Sequence, residues 1–369
     1  MSKHLTVYVM VKLKIIKNRM PPPTSNESLV KVQTASRYQA GTRFVVGVDG
    51  GGTKTRAVII RARAVDANSA SQIIGEGIAG AGNPLRVGFK AASAAVRDAI
   101  DAACVDADIT RTQLVRAQIG LAGVKRSEVR AEVRTELRNL KLASFDVVTD
   151  ADIALYGGVG IGAGLVIIAG TGSVCCGQDG RGQHACAGGW GPLAGDEGSA
   201  AWIARQALQR IAQAADGREP ATRLTKAVCD YFGIASPDEL SSVIYDPEMT
   251  HARIAGLGRP VIEAARAGDK VAVEIVHAAG HELGRAAVAV ARRLGLGDED
   301  TTSKSANDKA LRVAYVGGVF AAGELVLAPI ETELASIAAR VHLAPPAMTP
   351  ALAAAVMARE QLAGLALAM

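Results

Sequence analysis

The run Asp49-Gly50-Gly51-Gly52-Thr53-Lys54-Thr55 stands between two short β-branched segments, residues 44–48 and 56–60. Three consecutive glycines let backbone N–H groups approach an anion closely and form a nest of donors, to which the Thr53 hydroxyl adds one more. That chemistry suits phosphate. Asp49 closes the first segment and is placed to hold Mg²⁺ through water, because hydrated Mg²⁺ is usually held by only one or two carboxylates. A glycine-rich hairpin with no ligand satisfies the same pattern. The run is not a Walker A loop, since Thr53 precedes Lys54, and not a dinucleotide turn, since no helix follows it.

A second candidate phosphate loop, Gly170-Thr171-Gly172-Ser173, follows the apolar run 164–169. Between the two loops lies Thr149-Asp150-Ala151-Asp152, again directly after an apolar run. An aspartate at a strand end in a cleft can accept the proton of a hydroxyl that attacks phosphorus. Capping of the next helix is the alternative role for Asp150, and Asp152 competes with it for the role of base. Residues 188–199, Gly-Gly-Trp-Gly-Pro-Leu-Ala-Gly-Asp-Glu-Gly-Ser, bring tight turns, an indole and a carboxylate together before a long helix, a combination able to contact sugar hydroxyls. Helix capping by Asp196 or Glu197 and a core position for Trp190 remain the structural alternatives.

Several elements must position these residues. Apolar spacing predicts strands at 44–48, 56–60, 116–121, 145–149, 164–169 and 311–316. It predicts helices at 84–105, at 127–140 with Ser127 as N-cap, and along a segment carrying Ile203, Ala207, Ile211 and Ala214. Helical pattern continues to Leu294. Residues 297–309 form a charged surface segment, and Ala-rich helical sequence follows Gly317-Gly318 to the end. No repeat of fixed period is present. Alternation of β and α over 369 residues implies an α/β protein with more than one core.

Composition narrows the partners. Residues 1–43 contain eight of the 41 Lys and Arg but one of the 36 acids, leaving 33 bases against 35 acids in the body. The net charge of +5 therefore belongs to an N-terminal arm, expected to be solvated and disordered, and gives no nucleic-acid surface on the body. No apolar run reaches the ~18 residues of a membrane helix. Five cysteines, an odd number, argue against a secreted disulfide framework and favour a reduced cytoplasmic setting. Cys175, Cys176, His184 and Cys186 cluster without CxxC spacing, so a β-hairpin with strands at 173–177 and 183–187 is expected rather than a metal site.

Taken in order, Asp49-Gly-Gly-Gly-Thr53, Gly120-Leu-Ala-Gly123, Thr149-Asp150-Ala151, Gly170-Thr-Gly-Ser173, Gly189-Trp-Gly191 with Gly195-Asp-Glu-Gly-Ser199, and Gly317-Gly318 resemble the N-acetylglucosamine and glucosamine kinase branch of the BadF/BadG/BcrA/BcrD-type ATPases. The resemblance covers about residues 44–369 and leaves out the basic arm. It implies a duplicated ribonuclease-H-like, actin/hexokinase-type fold of two lobes (44–160 and 161–369) with a central cleft. It further implies ATP and Mg²⁺ as cofactors and an amino sugar as substrate, phosphorylated at O6. Gly50, Gly51, Gly52, Thr53, Lys54, Gly170, Thr171, Gly172 and Ser173 would face ATP phosphates, with Gly317 and Gly318 beside adenosine and Asp49 toward the metal. Asn83, Gly189, Trp190, Gly191 and Asp196 would bind the sugar, and Asp150 would touch it as the base. Asn83-Pro84 is also a good helix start, and both roles are compatible. A homodimer is expected by analogy with actin-like sugar kinases. The competing readings are a reductase-activating ATPase of the same family, a repressor-related sugar kinase, whose spaced Cys motif is missing, and a non-catalytic sugar sensor.

Overall fold

The computed structural model describes residues 38–39, 41–63, 72–140, 142–297 and 310–367. Most of the basic arm and the charged segment 298–309 lie outside the described residues, and all that follows concerns the unit from Gly41 onward. No helix among the described residues is long and apolar enough to cross a membrane.

The first half forms β1 (Phe44–Gly50), β2 (Thr55–Arg61), β3 (Gly75–Ala79), α1 (Pro84–Val87), α2 (Phe89–Ala107), β4 (Leu114–Leu121), α3 (Ser127–Leu137), β5 (Phe145–Thr149) and α4 (Asp150–Val159). The second half contains β6 (Gly164–Ala169), β7 (Ser173–Gln178), β8 (His184–Gly188), α5 (Ala200–Ala215), α6 (Leu224–Phe232), α7 (Leu240–Ile244), α8 (His251–Gly256), α9 (Gly258–Arg266) and α10 (Lys270–Arg293). It closes with β9 (Leu311–Val316), α11 (Glu324–Leu334), β10 (Val341–Ala344) and α12 (Pro350–Leu367).

Two five-stranded sheets result, ordered β3-β2-β1-β4-β5 and β10-β9-β6-β7-β8. In each, an antiparallel three-strand meander is extended by two parallel strands, so the second sheet repeats the topology of the first. This is the duplicated ribonuclease-H-like, two-lobed arrangement.

Each sheet is covered on both faces, which explains its nearly continuous apolar strands. In the first lobe α2 presses onto β2 and β3 so closely that a Cβ on Gly77 would lie 2.1 Å from the Ala99 carbonyl oxygen. The last helix, α12, returns to this lobe, where Ala351, Ala355 and Val356 pack on Val45, Val58 and Ile60. In the second lobe α10 covers one face through Ala279, Leu283 and Ala287, against Leu165, Ile167 and Cys175. The other face, Val166, Cys176 and Ala314, packs on Ala151, Ala154, Leu155 and Val159 of α4. Helices α4 and α12 touch each other, joined by the Tyr156 hydroxyl donating to Glu360.

Four local expectations are corrected. The helix predicted over 84–105 is broken at Gly88, whose φ of 83° and ψ of 158° leave the helical region, so α1 is a single turn and α2 starts afresh at Phe89. Ser127 is the first helical residue rather than the cap: Arg126 occupies the cap with extended backbone, and the Ser127 hydroxyl donates to Glu128 instead. The helical reading from Gly318 to the end is interrupted by β10, which pairs parallel to β9 because Val341 and Leu343 complete that edge of the sheet. The expectation of wholly reduced cysteines gives way at one pair. Cys176 and Cys186 stand opposite each other on the expected hairpin and are joined by a disulfide, whereas Cys104, Cys175 and Cys229 are free and buried.

Candidate functional site

The functional candidates gather at the carboxyl ends of the parallel strands. Asp49 on β1 pairs with Gly120 on β4, and Leu121 pairs with Thr149 on β5, so Asp49 and Asp150 leave the same edge of the first sheet. The second sheet repeats this. Ile168 on β6 pairs with Val316 on β9, which sets the Gly170 loop beside Gly317-Gly318. A Cβ on Gly317 would lie 2.1 Å from the Ala169 carbonyl oxygen, and its φ is 127°, so this junction admits only glycine.

The first loop is the turn of the β1–β2 hairpin, closed by the Gly51 N–H donating to the Lys54 carbonyl at 2.9 Å. Segment 80–83 docks onto it: the Gly82 N–H donates to the Gly51 carbonyl at 2.9 Å and the Thr55 hydroxyl to the Gly80 carbonyl at 2.8 Å. The amides of Gly52, Thr53 and Lys54 find no acceptor among the described residues. In the second loop, the amides of Thr171 and Gly172 are likewise without acceptors among the described residues. Clusters of N–H groups left open at a turn form concavities that fit anions, so the donor sets of both loops suit phosphate oxygens.

The second loop is tied down far more heavily. Its carbonyls at Gly170 and Thr171 accept from Ala200 and Ala201 at the start of α5, at 2.9 and 3.4 Å. The Ser173 hydroxyl donates to the Glu197 carbonyl at 2.6 Å, and the Ser173 N–H donates to the Asp196 carboxylate at 3.3 Å. Asp196 is buried in a left-handed conformation (φ 60°) that places its carboxylate under the loop; a Cβ on Gly172 would lie 2.9 Å from both its oxygens. Burial raises the Asp196 pKa, opposed by the Ser173 N–H and by the charges of His251 and Arg205.

The two acids after β5 have different duties. The Thr149 hydroxyl accepts from the Asp152 N–H and the Asp152 carboxylate accepts from the Thr149 N–H, a reciprocal capping box that uses up Asp152. Asp150 accepts the adjacent Ala151 N–H, at 3.0 Å, and its own backbone N–H. Burial raises its pKa despite those bonds. Asp49 is pushed up to about 6, first by burial and then by the charge of Asp150, with Lys54 and Arg56 pulling it down. A buried carboxylate raised by a second one beside it fits a bound cation. No group of three or more His, Cys, Asp or Glu gathers among the described residues, so a metal here would draw most of its ligands from water and phosphate.

Of the sugar candidates, Asn83 stands beside the first loop, and the Gly189 turn and Asp196 beside the second. Asn83 caps α1 through its side-chain oxygen, which accepts the Leu85 N–H at 3.0 Å and also lies against Gly123. Gly189 donates its N–H to the Ser173 carbonyl at 3.0 Å, linking the Gly189-Trp-Gly191 turn to the second loop. Trp190 is not a core residue: it is 76% exposed, with the Lys125 ammonium of the first lobe 5.6 Å from its ring centre. Sequence reasoning did not identify Arg205, which donates to the Pro192 carbonyl and fixes this turn. It also did not identify His251, whose pKa is lowered by burial and by Arg86. Both are ionisable groups on helices, a pattern shared with ordinary solvated faces.

The model of one family, the BadF/BadG/BcrA/BcrD ATPases, matches residues 46–358. The chain belongs to the BadF/BadG/BcrA/BcrD ATPase family. It is 33% identical over 199 residues to a Clostridium acetobutylicum N-acetylmuramic acid/N-acetylglucosamine kinase, an alignment spanning 54% of this chain and 65% of that protein. It is 30% identical over 266 residues to a Dictyostelium discoideum N-acetyl-D-glucosamine kinase, spanning 69% of this chain and 81% of that protein. Among solved structures, a candidate N-acetylglucosamine kinase from Chromobacterium violaceum superposes with a TM-score of 0.66 at 26% identity, covering 86% of this chain and 99% of that one. The BadF/BadG/BcrA/BcrD ATPase match spans both glycine loops, Asp150 and the Gly317-Gly318 junction.

Proposed function

We propose that the protein transfers the γ-phosphoryl group of ATP to the O6 hydroxyl of an amino sugar, N-acetylglucosamine or glucosamine, releasing the sugar 6-phosphate and ADP. One observation carries the reading: Asp150 stands half-buried at the edge of the first sheet, on the helix packed against the second, with its carboxylate available while Asp152 is spent on capping. A carboxylate so placed accepts the proton of the attacking hydroxyl and supplies roughly 10²–10⁴-fold of the rate. The open amides at Gly52, Thr53 and Lys54 and at Thr171 and Gly172, with the two threonine hydroxyls, hold the triphosphate. Gly317 and Gly318 leave room for the nucleoside.

Asn83, Gly189, Trp190, Gly191 and Asp196 orient the sugar, and Arg205 keeps the Trp190 turn in place. Mg²⁺ held through Asp49 would offset phosphate charge and relieve the repulsion between Asp49 and Asp150. Most of the protein's contribution is positioning and charge neutralisation, as in other phosphoryl transfers.

A coupled ADP-release assay with Mg·ATP against N-acetylglucosamine, glucosamine, N-acetylmannosamine, N-acetylmuramic acid and glucose, beside a sugar-free control, tests the reading. Sugar-dependent release with an amino sugar, and a phosphorus-coupled C6 resonance in the product, are expected. Sugar-independent hydrolysis, or none, would overturn it in favour of an activator-type ATPase or a sensor.

A further inference from the structure

One cation at the cleft has no role in the reading above. Arg86 lies on α1, the single turn that starts at the Asn83 cap and stops at Gly88. The Arg86 N–H donates to the Asn83 carbonyl at 3.0 Å, and Asn83 is the last residue of the segment docked to the first glycine loop. This short path turns the Arg86 side chain back onto that loop. A Cβ on Gly52 would lie 2.9 Å from a guanidinium nitrogen and 3.4 Å from the guanidinium carbon. The residue is exposed, and its guanidinium makes no hydrogen bond or ion pair among the described residues.

Its electrostatic surroundings favour an anion. His251 of the second lobe feels the Arg86 charge, and Arg205 adds a second positive charge there, while Asp196 is engaged with the Ser173 N–H. On the first-lobe side the contact is Gly52, whose amide is itself an open donor. A planar fork of five N–H donors beside a nest of free amides matches the oxygens of a phosphoryl group better than it matches a neutral hydroxyl.

Resting on the phosphotransfer reading, we propose that Arg86 is a catalytic residue that binds the phosphoryl group in flight, its guanidinium donating to the non-bridging oxygens of that group. As the sugar oxygen forms its bond to phosphorus, the bond to the bridging oxygen of ADP breaks and that oxygen keeps the electron pair. The hydroxyl proton goes to Asp150. Arg86 exchanges no proton; it neutralises charge that is greatest in the transition state.

The test is Arg86→Gln and Arg86→Lys in the full chain, with melting curves to show that folding is kept, as expected for an exposed side chain. With the preferred sugar, Arg86→Gln should lower kcat by roughly 10²–10³-fold, the loss seen when one preorganised donor to developing charge is removed. The KM for the sugar should stay within about threefold, and millimolar guanidinium should restore part of the rate in Arg86→Gln but not raise that of the wild type. Arg86→Lys should recover only a fraction, lacking the fork. An unchanged kcat, or a rise in the KM of a carboxylate-bearing sugar alone, would overturn the proposal and place Arg86 against the sugar. If the wild type shows no sugar-dependent turnover, the phosphotransfer reading has failed separately, and calorimetry still decides on Arg86. A non-hydrolysable ATP analogue should then bind Arg86→Gln more weakly while ADP binding is unchanged, and equal affinities for the analogue in both proteins would refute the contact.

Discussion

The two glycine loops occupy equivalent places in two sheets of the same strand order, yet they are built differently. The loop at Gly170–Ser173 is fastened by α5, by the Glu197 carbonyl and by the buried Asp196 carboxylate beneath it. The loop at Gly50–Lys54 is held mainly by its own hairpin and by segment 80–83, and it faces a carboxylate, Asp49, and a cation, Arg86. The second loop is the more heavily fastened of the two, and the first stands beside Asp49 and Arg86 of its own lobe. Under the proposed phosphotransfer, the second loop would serve fixed positioning and the first the chemistry.

The largest expected effect comes from Asp150→Asn, which should lower kcat by roughly 10²–10⁴-fold while leaving nucleotide affinity nearly unchanged. Full turnover in that variant would remove the chemistry from the first lobe. Next is pH. Asp150 and Asp49 are raised, Asp49 to about 6, so activity that needs both ionised should fall as pH drops through that range. Stability runs the other way. A carboxylate raised in the folded state adds stability that is full below its unfolded pKa and lost as pH rises through about 6, so these groups disfavour the ligand-free fold at neutral pH. Asp49→Asn should therefore stabilise the ligand-free protein at pH 7.5 by roughly 1–3 kcal/mol in chemical denaturation, while weakening Mg²⁺-dependent nucleotide binding. Loss of stability instead would show that Asp49 already has a partner.

Paired alanine substitutions sharpen the contrast between the loops. A Cβ on Gly172 meets the Asp196 carboxylate at 2.9 Å, whereas one on Gly51 meets only the Lys54 carbonyl at 3.7 Å. Gly172→Ala should cost about 1–3 kcal/mol in unfolding free energy and Gly51→Ala a few tenths. Equal costs would mean that the second loop yields as readily as the first. No effect on turnover is expected for Asp152→Ala, which should lose about 1 kcal/mol of stability from the capping box with kcat unchanged. A large fall in kcat there would make Asp152 the base.

Much of this organisation was legible in the sequence because it follows from local pattern. The strands at Phe145–Thr149, Gly164–Ala169 and Leu311–Val316 are apolar runs ending in polar turns, and they form where that pattern puts them. The duplication is legible only through the family resemblance, since the two sheets share strand order and pairing sense but no residue period. β10 has no pattern of its own, because four residues, Val-His-Leu-Ala, become a strand only by pairing with β9. Gly88 falls within a helical pattern set by its neighbours, and a single glycine there shows its effect only through backbone conformation. Both glycine loops and Asp150 stood out as residue types after strands. Arg86, Arg205 and His251 did not, because their significance lies in what faces them across the cleft.

The most direct test of the central claim, that loops from two lobes hold one nucleotide, is a double-mutant cycle on Mg·ATP-analogue affinity by calorimetry, using Thr53→Ala, Thr171→Ala and both together. Each single variant should weaken binding by roughly 5–50-fold, and the double should deviate from additivity by at least about 0.5 kcal/mol, as expected for groups sharing a partner. Unchanged affinity in either single variant, or strict additivity, would contradict a shared triphosphate between the lobes.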